Sequence, residues 1–235
     1  MATGLATVLF SVNIYLPIIL SLILILISLV AITLFKENSD VKKEDNSIVS
    51  FNKQALSYVF QNKILLNLLL LMTCCTVIIM NNNSYCQPLL LEKGMDIKIL
   101  GTLMLAYNLL MSVGSKISKR LTNIYFPYGI LFLFCICSIF IGSRNLYLAI
   151  ILFAVHRFLN GLIWPLLTAA TNPLIPSDIR ATVLSYQSMM TNVISMLVSP
   201  VVGIALDAVG LKLFYVSFGA IFAIIIAGLC MMRKK

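Results

Sequence analysis

The feature that most constrains this chain is a series of long apolar stretches separated by short polar breaks. They run over about Tyr15–Phe35, Ile64–Leu90, Ile99–Ser115, Ile124–Ile141, Leu146–Ala170, Thr182–Leu206 and Leu213–Met232. A helix needs ~20 mostly apolar residues to cross the ~30 Å hydrocarbon layer of a bilayer. The stretches are continuous rather than alternating with period two, so they read as helices and not as strands of a barrel. Their combined extent also exceeds what one aqueous core can hide. Of the 235 residues 60% are hydrophobic and 11% charged, against ~45–50% and ~25% in soluble domains. The expected fold class is therefore all-α integral membrane, with about seven transmembrane helices.

The net charge of +9 would suggest nucleic acid in a soluble protein. Here it follows from the Lys and Arg that collect in the cytoplasmic loops of membrane proteins, so membrane lipid is expected as surroundings and no nucleic acid as partner. Counted on alternate sides, one face holds Lys36, Lys42, Lys43, Lys53, Lys63, Lys116, Lys119, Arg120, Arg180, Arg233, Lys234 and Lys235. The other holds Lys93, Lys98, Arg144 and Lys212. The expected orientation puts the N-terminus outside and the C-terminus in the cytoplasm, and an odd number of spans agrees with that. The Met1–Pro17 stretch lacks a basic leader region and reads as the start or remnant of a membrane segment.

The longest break, Lys36–Lys63, is expected to be a cytoplasmic linker. Its first part, KENSDVKKEDNS, has mixed charge and little to bury. The second part, SFNKQALSYVFQNK, places Leu56, Val59 and Phe60 at helical spacing, as in a short helix lying at a membrane surface.

Polar residues inside the apolar stretches are the candidate site. A charge at bilayer depth costs ~2.5–3.5 kcal/mol on insertion scales, so such a residue faces a cavity or a partner. Arg157 lies near the middle of the fifth stretch, and Asn160, Gly161 and Trp164 share its helical face. It reads either as a cation in a substrate pathway or helix register, or as a structural Arg capping carbonyls of a broken neighbour. His156, about 100° away, is either a proton carrier or a packed ring. In the second stretch Asn81, Asn82, Asn83, Ser84, Tyr85 and Gln87 precede Pro88. Such a run marks either a helix that unwinds to expose backbone, or the outer membrane surface. Asn108 in the third stretch, and Gln187, Ser188, Thr191, Asn192 and Ser195 in the sixth, are further candidates that equally serve as glue between helices. The expected substrate pathway thus comprises Arg157, Asn160, Trp164, His156, Asn82, Tyr85, Gln87, Asn108, Gln187 and Asn192.

Nothing in the sequence marks an enzyme. The single His has no carboxylate or thiol near it in sequence, and there is no phosphate-binding GxxxxGK[ST] loop. No cofactor and no metal are expected, because the six cysteines fall in apolar stretches without zinc-site spacing.

Several motifs resemble those of the major facilitator superfamily of transporters. Arg157-xxx-Gly161 resembles the RxxxG pattern of that superfamily's fourth helix, as repeated in its second half. Ile175–Thr182, IPSDIRAT, resembles its short cytoplasmic loop. Ser199–Gly203, then Leu206-Asp207 and Gly210, resembles its GPxxG-type kink and following turn. Gly114–Leu121, GSKISKRL, resembles its basic G-x-x-x-D-R-x-G-R loop without the Asp. The resemblance implies the C-terminal six-helix bundle of that fold over 64–235, preceded by a linker over 36–63. Residues 1–35 would then match the end of helix five, at Ala2–Phe10, and helix six.

The function so implied is part of a secondary active transporter. It would move a small-molecule substrate by alternating access, as in drug or metabolite efflux, at the plasma membrane. The implied partner is a missing N-terminal half or a second copy forming a homodimer. A seven-helix receptor or scaffold, or an inactive truncated transporter, is the alternative.

Overall fold

The computed structural model describes residues 13, 15–34, 48–121, 125–143 and 145–233. Ala2–Phe10, the charged part of the linker, Arg144 and the last two lysines lie outside the described residues. Among the described residues all regular structure is helical: α1 (Leu16–Leu34), α2 (Ile48–Gln61), α3 (Lys63–Glu92), α4 (Ile97–Ser118), α5 (Phe126–Ile141), α6 (Leu146–Thr171), a 3-10 turn (Asn172–Leu174) and α7 (Arg180–Arg233). Nearly all described residues of each expected apolar stretch fall on helix. Helices α1, α3, α4, α6 and α7 are long and apolar enough to cross a membrane, and α5 is a shorter apolar helix.

The polar breaks start the helices. The Asn62 side chain accepts from Leu65 N, that of Asp96 from Lys98 N, and that of Asn145 from Tyr147 N and Leu148 N. Each satisfies amides that the first helical turn leaves without a partner. Pro127 opens α5, where its missing N–H is harmless.

Helix α7 is two spans. Thr191 meets Thr73 at 3.3 Å, and the Leu229 carbonyl accepts from Asn67 Nδ2 at 2.8 Å. In a straight helix residues 191 and 229 would lie about 57 Å apart, yet their partners on α3 are separated by about 9 Å. The chain must double back, and it does so at Gly210, where φ is 74° and ψ 165°. Glycine adopts that backbone without steric penalty. The arms are 180–209 and 211–233. The helix continues through Pro200, so the chain turns after the Pro-Val-Val-Gly segment and not at it.

Helix α3 is the most buried of the long apolar helices, and polar side chains tie it to three others. Asn67 also accepts from the Tyr128 hydroxyl of α5, Thr171 of α6 donates to the Met72 sulfur at 3.6 Å, and Tyr215 donates to the Asn82 carbonyl at 3.4 Å. Two glycine seams bring backbones together. A Cβ on Gly161 would overlap the Met111 carbonyl oxygen, so α6 lies directly on α4. A Cβ on Gly219 would stand 2.8 Å from the Cys135 carbonyl oxygen, joining α5 to the second arm of α7. Small residues permit this close packing where lipid supplies no hydrophobic drive between helices.

Helix α2 divides Leu56, Val59 and Phe60 between the bundle and the outside. Ala55 and Val59 are buried, and Tyr58 donates to the Leu174 carbonyl at 2.9 Å, whereas Leu56 and Phe60 are exposed. The helical part of the linker is thus packed on the bundle it precedes. Helix α1 differs, with no buried residue at all.

Candidate functional site

Arg157 stands 11 residues after Leu146 and 14 before Thr171 in α6, about 17 Å and 21 Å from the two helix ends. It is half-buried, and Asn160 and Gly161 on the same face are buried. The contact of Gly161 with α4 fixes this face one turn from the guanidinium. Around it, Tyr215 of α7 meets the Phe153 ring edge-on at 5.9 Å and donates to the Asn82 carbonyl of α3, while Tyr107 and Met111 of α4 contact α6 on either side of this level. Three helices besides its own therefore approach this part of α6.

Two amides in this layer have unmet hydrogen-bonding capacity. Asn82 is 2% exposed; its Nδ2 donates to the Ile78 carbonyl at 2.9 Å, and its Oδ1 is buried without a partner. Asn160 is 4% exposed, and its Oδ1 is likewise orphaned. Such atoms normally find partners, because desolvation without a hydrogen bond is unfavourable by a few kcal/mol, on the order of 1–3. The two tyrosines do not supply them. Tyr107 donates to the Ile150 carbonyl at 2.8 Å, and Tyr215 to the Asn82 carbonyl.

His156 is fully packed. Its ring stacks on Phe134 with centroids 3.8 Å apart, and Phe153 meets its edge at 6.1 Å. Nε2 lies 2.9 Å from the Phe134 carbonyl oxygen and 3.3 Å from Ser138 Oγ, while Nδ1 has no partner. The carbonyl can only accept, so Nε2 carries the hydrogen. This geometry ties α6 to α5.

The remaining expected residues divide. Tyr85 is half-buried and meets the Phe214 ring edge-on at 5.6 Å; Trp164 and Asn108 are also half-buried. Gln187 bonds Thr191 within its own helix at 3.1 Å, and Thr191 continues to Thr73, which is the interhelical glue anticipated for that stretch. Gln87 and Asn192 are exposed and are not brought to the layer. The amide run does not unwind α3. The helix is continuous through Pro88, and Asn81 and Asn82 return their amide hydrogens to the Val77 and Ile78 carbonyls. Arg157 donates to no carbonyl among the described residues, so a carbonyl-capping role has no partner there.

Asn67, Tyr107 and Tyr215 were not expected in this interior. A lone Asn between leucines was a signal for the first. The two tyrosines gave none, since aromatic residues are ordinary in apolar helices.

At the other end of α3, Lys93 donates from Nζ to the Ser143 carbonyl. Partial burial lowers its pKa; Glu92 opposes this and Lys212 adds to it. This contact ties the α3 end to the turn between α5 and α6.

Fold and site together define a helical protein fit for a membrane, with a cationic and amide layer at the centre of its bundle. Comparison with protein families, curated proteins and solved structures returns no match to the chain.

Proposed function

We propose that the chain forms one wall of a secondary active transporter of the major-facilitator kind, moving a small molecule by alternating access. The single observation that carries this reading is the mid-depth layer of Arg157, Asn82 and Asn160. A half-buried guanidinium and two orphaned amide oxygens at the centre of apolar helices are unfavourable unless something polar reaches them. The sequence motifs resembling that superfamily support it. A second helical bundle, from another segment or another copy, supplies the opposite wall. The basic helix ends face the cytoplasm of the plasma membrane, with the N-terminus outside.

Aqueous access at the layer tests the reading. In a chain whose six native cysteines are replaced by Ala, a Cys at position 157 should react with a membrane-impermeant thiosulfonate. A Cys at Ile25 in α1 should not. Equal silence at both positions in intact, folded protein would remove the pathway, and a receptor or scaffold role would then be the better account.

A further inference from the structure

The layer also limits which molecule it accepts, on the reading that it lines a substrate pathway. Arg157 brings guanidinium N–H groups and a full positive charge. The described carboxylates, Glu92, Asp96, Asp178 and Asp207, all lie at or beyond the ends of helical spans, and none forms an ion pair among the described residues. The charge at mid-depth is therefore left to be met by something else. A guanidinium matches a carboxylate in a two-bond fork.

The amides require the opposite chemistry. Asn82 Oδ1 is held as an acceptor because its Nδ2 is engaged by Ile78. Asn160 Oδ1 is a second unfilled acceptor, one turn from Arg157 on the same helix. The nearby phenol hydrogens are already engaged. A bare anion would satisfy Arg157 and leave both amides orphaned. A neutral alcohol would do the reverse.

We infer that the ligand of this layer is a small carboxylate that also carries hydroxyl donors, a hydroxy acid in its simplest form. The carboxylate sits on Arg157 and the hydroxyl donates to Asn160, with Asn82 available to a second donor. Sites that hydrogen-bond a hydroxyl discriminate strongly against analogues lacking it, because the site's own polar group is left without a partner.

Trp164 is the only tryptophan in the chain and shares the helical face of Arg157 and Asn160, so its fluorescence reports occupancy. The full chain, purified into lipid nanodiscs, is titrated with lactate, propionate, malate, succinate and the neutral lactamide. Saturable changes are expected with lactate and malate, about tenfold weaker with propionate and succinate, and none with lactamide. Arg157→Gln should abolish the response to both hydroxy acids while circular dichroism stays unchanged. Asn160→Leu should erase the difference between lactate and propionate but keep the preference for an anion.

Lactamide binding as well as lactate, with Arg157→Gln without effect, would overturn the substrate class while leaving the pathway intact. Silence across all five probes, with position 157 still reactive to thiosulfonate, would also overturn the class. Loss of that reactivity would instead defeat the pathway reading on which the class depends.

Discussion

Helices α1 and α3 are both apolar enough to cross a membrane, and α1 is the more apolar of the two. Yet α3 is the most buried of the long apolar helices and α1 buries nothing. The difference lies in a few polar side chains. In α1, Ser21, Ser28 and Thr33 return their hydroxyl hydrogens to carbonyls of their own helix, at 2.8 Å each. That helix is self-sufficient and can face lipid all round. In α3, Asn67 has two amide functions that its own helix cannot fully satisfy, and it reaches two other helices. Burial between helices is thus decided by polar need and close-packing shape, since lipid is as apolar as leucine.

Bulk should separate the regions most sharply. Gly161→Leu forces α6 off the Met111 carbonyl and is expected to destabilise the bundle by about 3 kcal/mol or more, whereas Ala31→Leu on exposed α1 should be neutral. Thermal unfolding of the purified chain followed by circular dichroism reads both, and tolerance of Gly161→Leu would break the contrast. Next in size is Asn67→Leu, which removes the bonds from the Tyr128 hydroxyl and to the Leu229 carbonyl. A loss of about 1–2 kcal/mol is expected, in line with measured interhelical hydrogen bonds, in detergent unfolding curves.

A smaller effect should appear at the C-terminal end of α3. The Lys93 pKa is lowered by burial, so between that value and its unfolded value near 10.4 the native state binds fewer protons than the unfolded state. Stability should therefore rise with pH through this alkaline window and be lowest below it. Lys93→Met should flatten the rise, measured as the difference in melting temperature between the two proteins from pH 8 to 11. Smallest of all, the triple change Ser21→Ala, Ser28→Ala and Thr33→Val should move stability by less than about 0.5 kcal/mol. A larger loss would mean that α1 has a polar partner after all.

Much of the fold was legible because apolar length and polar interruption are local properties. The polar breaks between the apolar stretches hold Asn62, Asp96 and Asn145, which cap helices in the structure. Arg157 was conspicuous for the same reason, being a charge where the solvent is expected to be lipid. The unequal burial along α2 was not legible. Leu56, Val59 and Phe60 have similar hydrophobicity, and only the position of the neighbouring bundle separates Val59 from the other two. Nor could the sequence tell whether the Asn81–Asn83 run opens α3. The competition between the helix and its own amide side chains is settled by packing on both sides.

By itself, then, the sequence determined that this chain is a set of apolar helices with one strongly basic set of breaks and a cation within a span. These follow from hydropathy, which needs no knowledge of neighbours. Only the tertiary structure decided that α7 folds back at Gly210, that α3 and not the more apolar α1 lies at the centre, and that Arg157 shares a layer with Asn82, Tyr107 and Tyr215. Those are relations between residues far apart in sequence. They depend on which helix surfaces can approach closely enough to satisfy each other's polar groups.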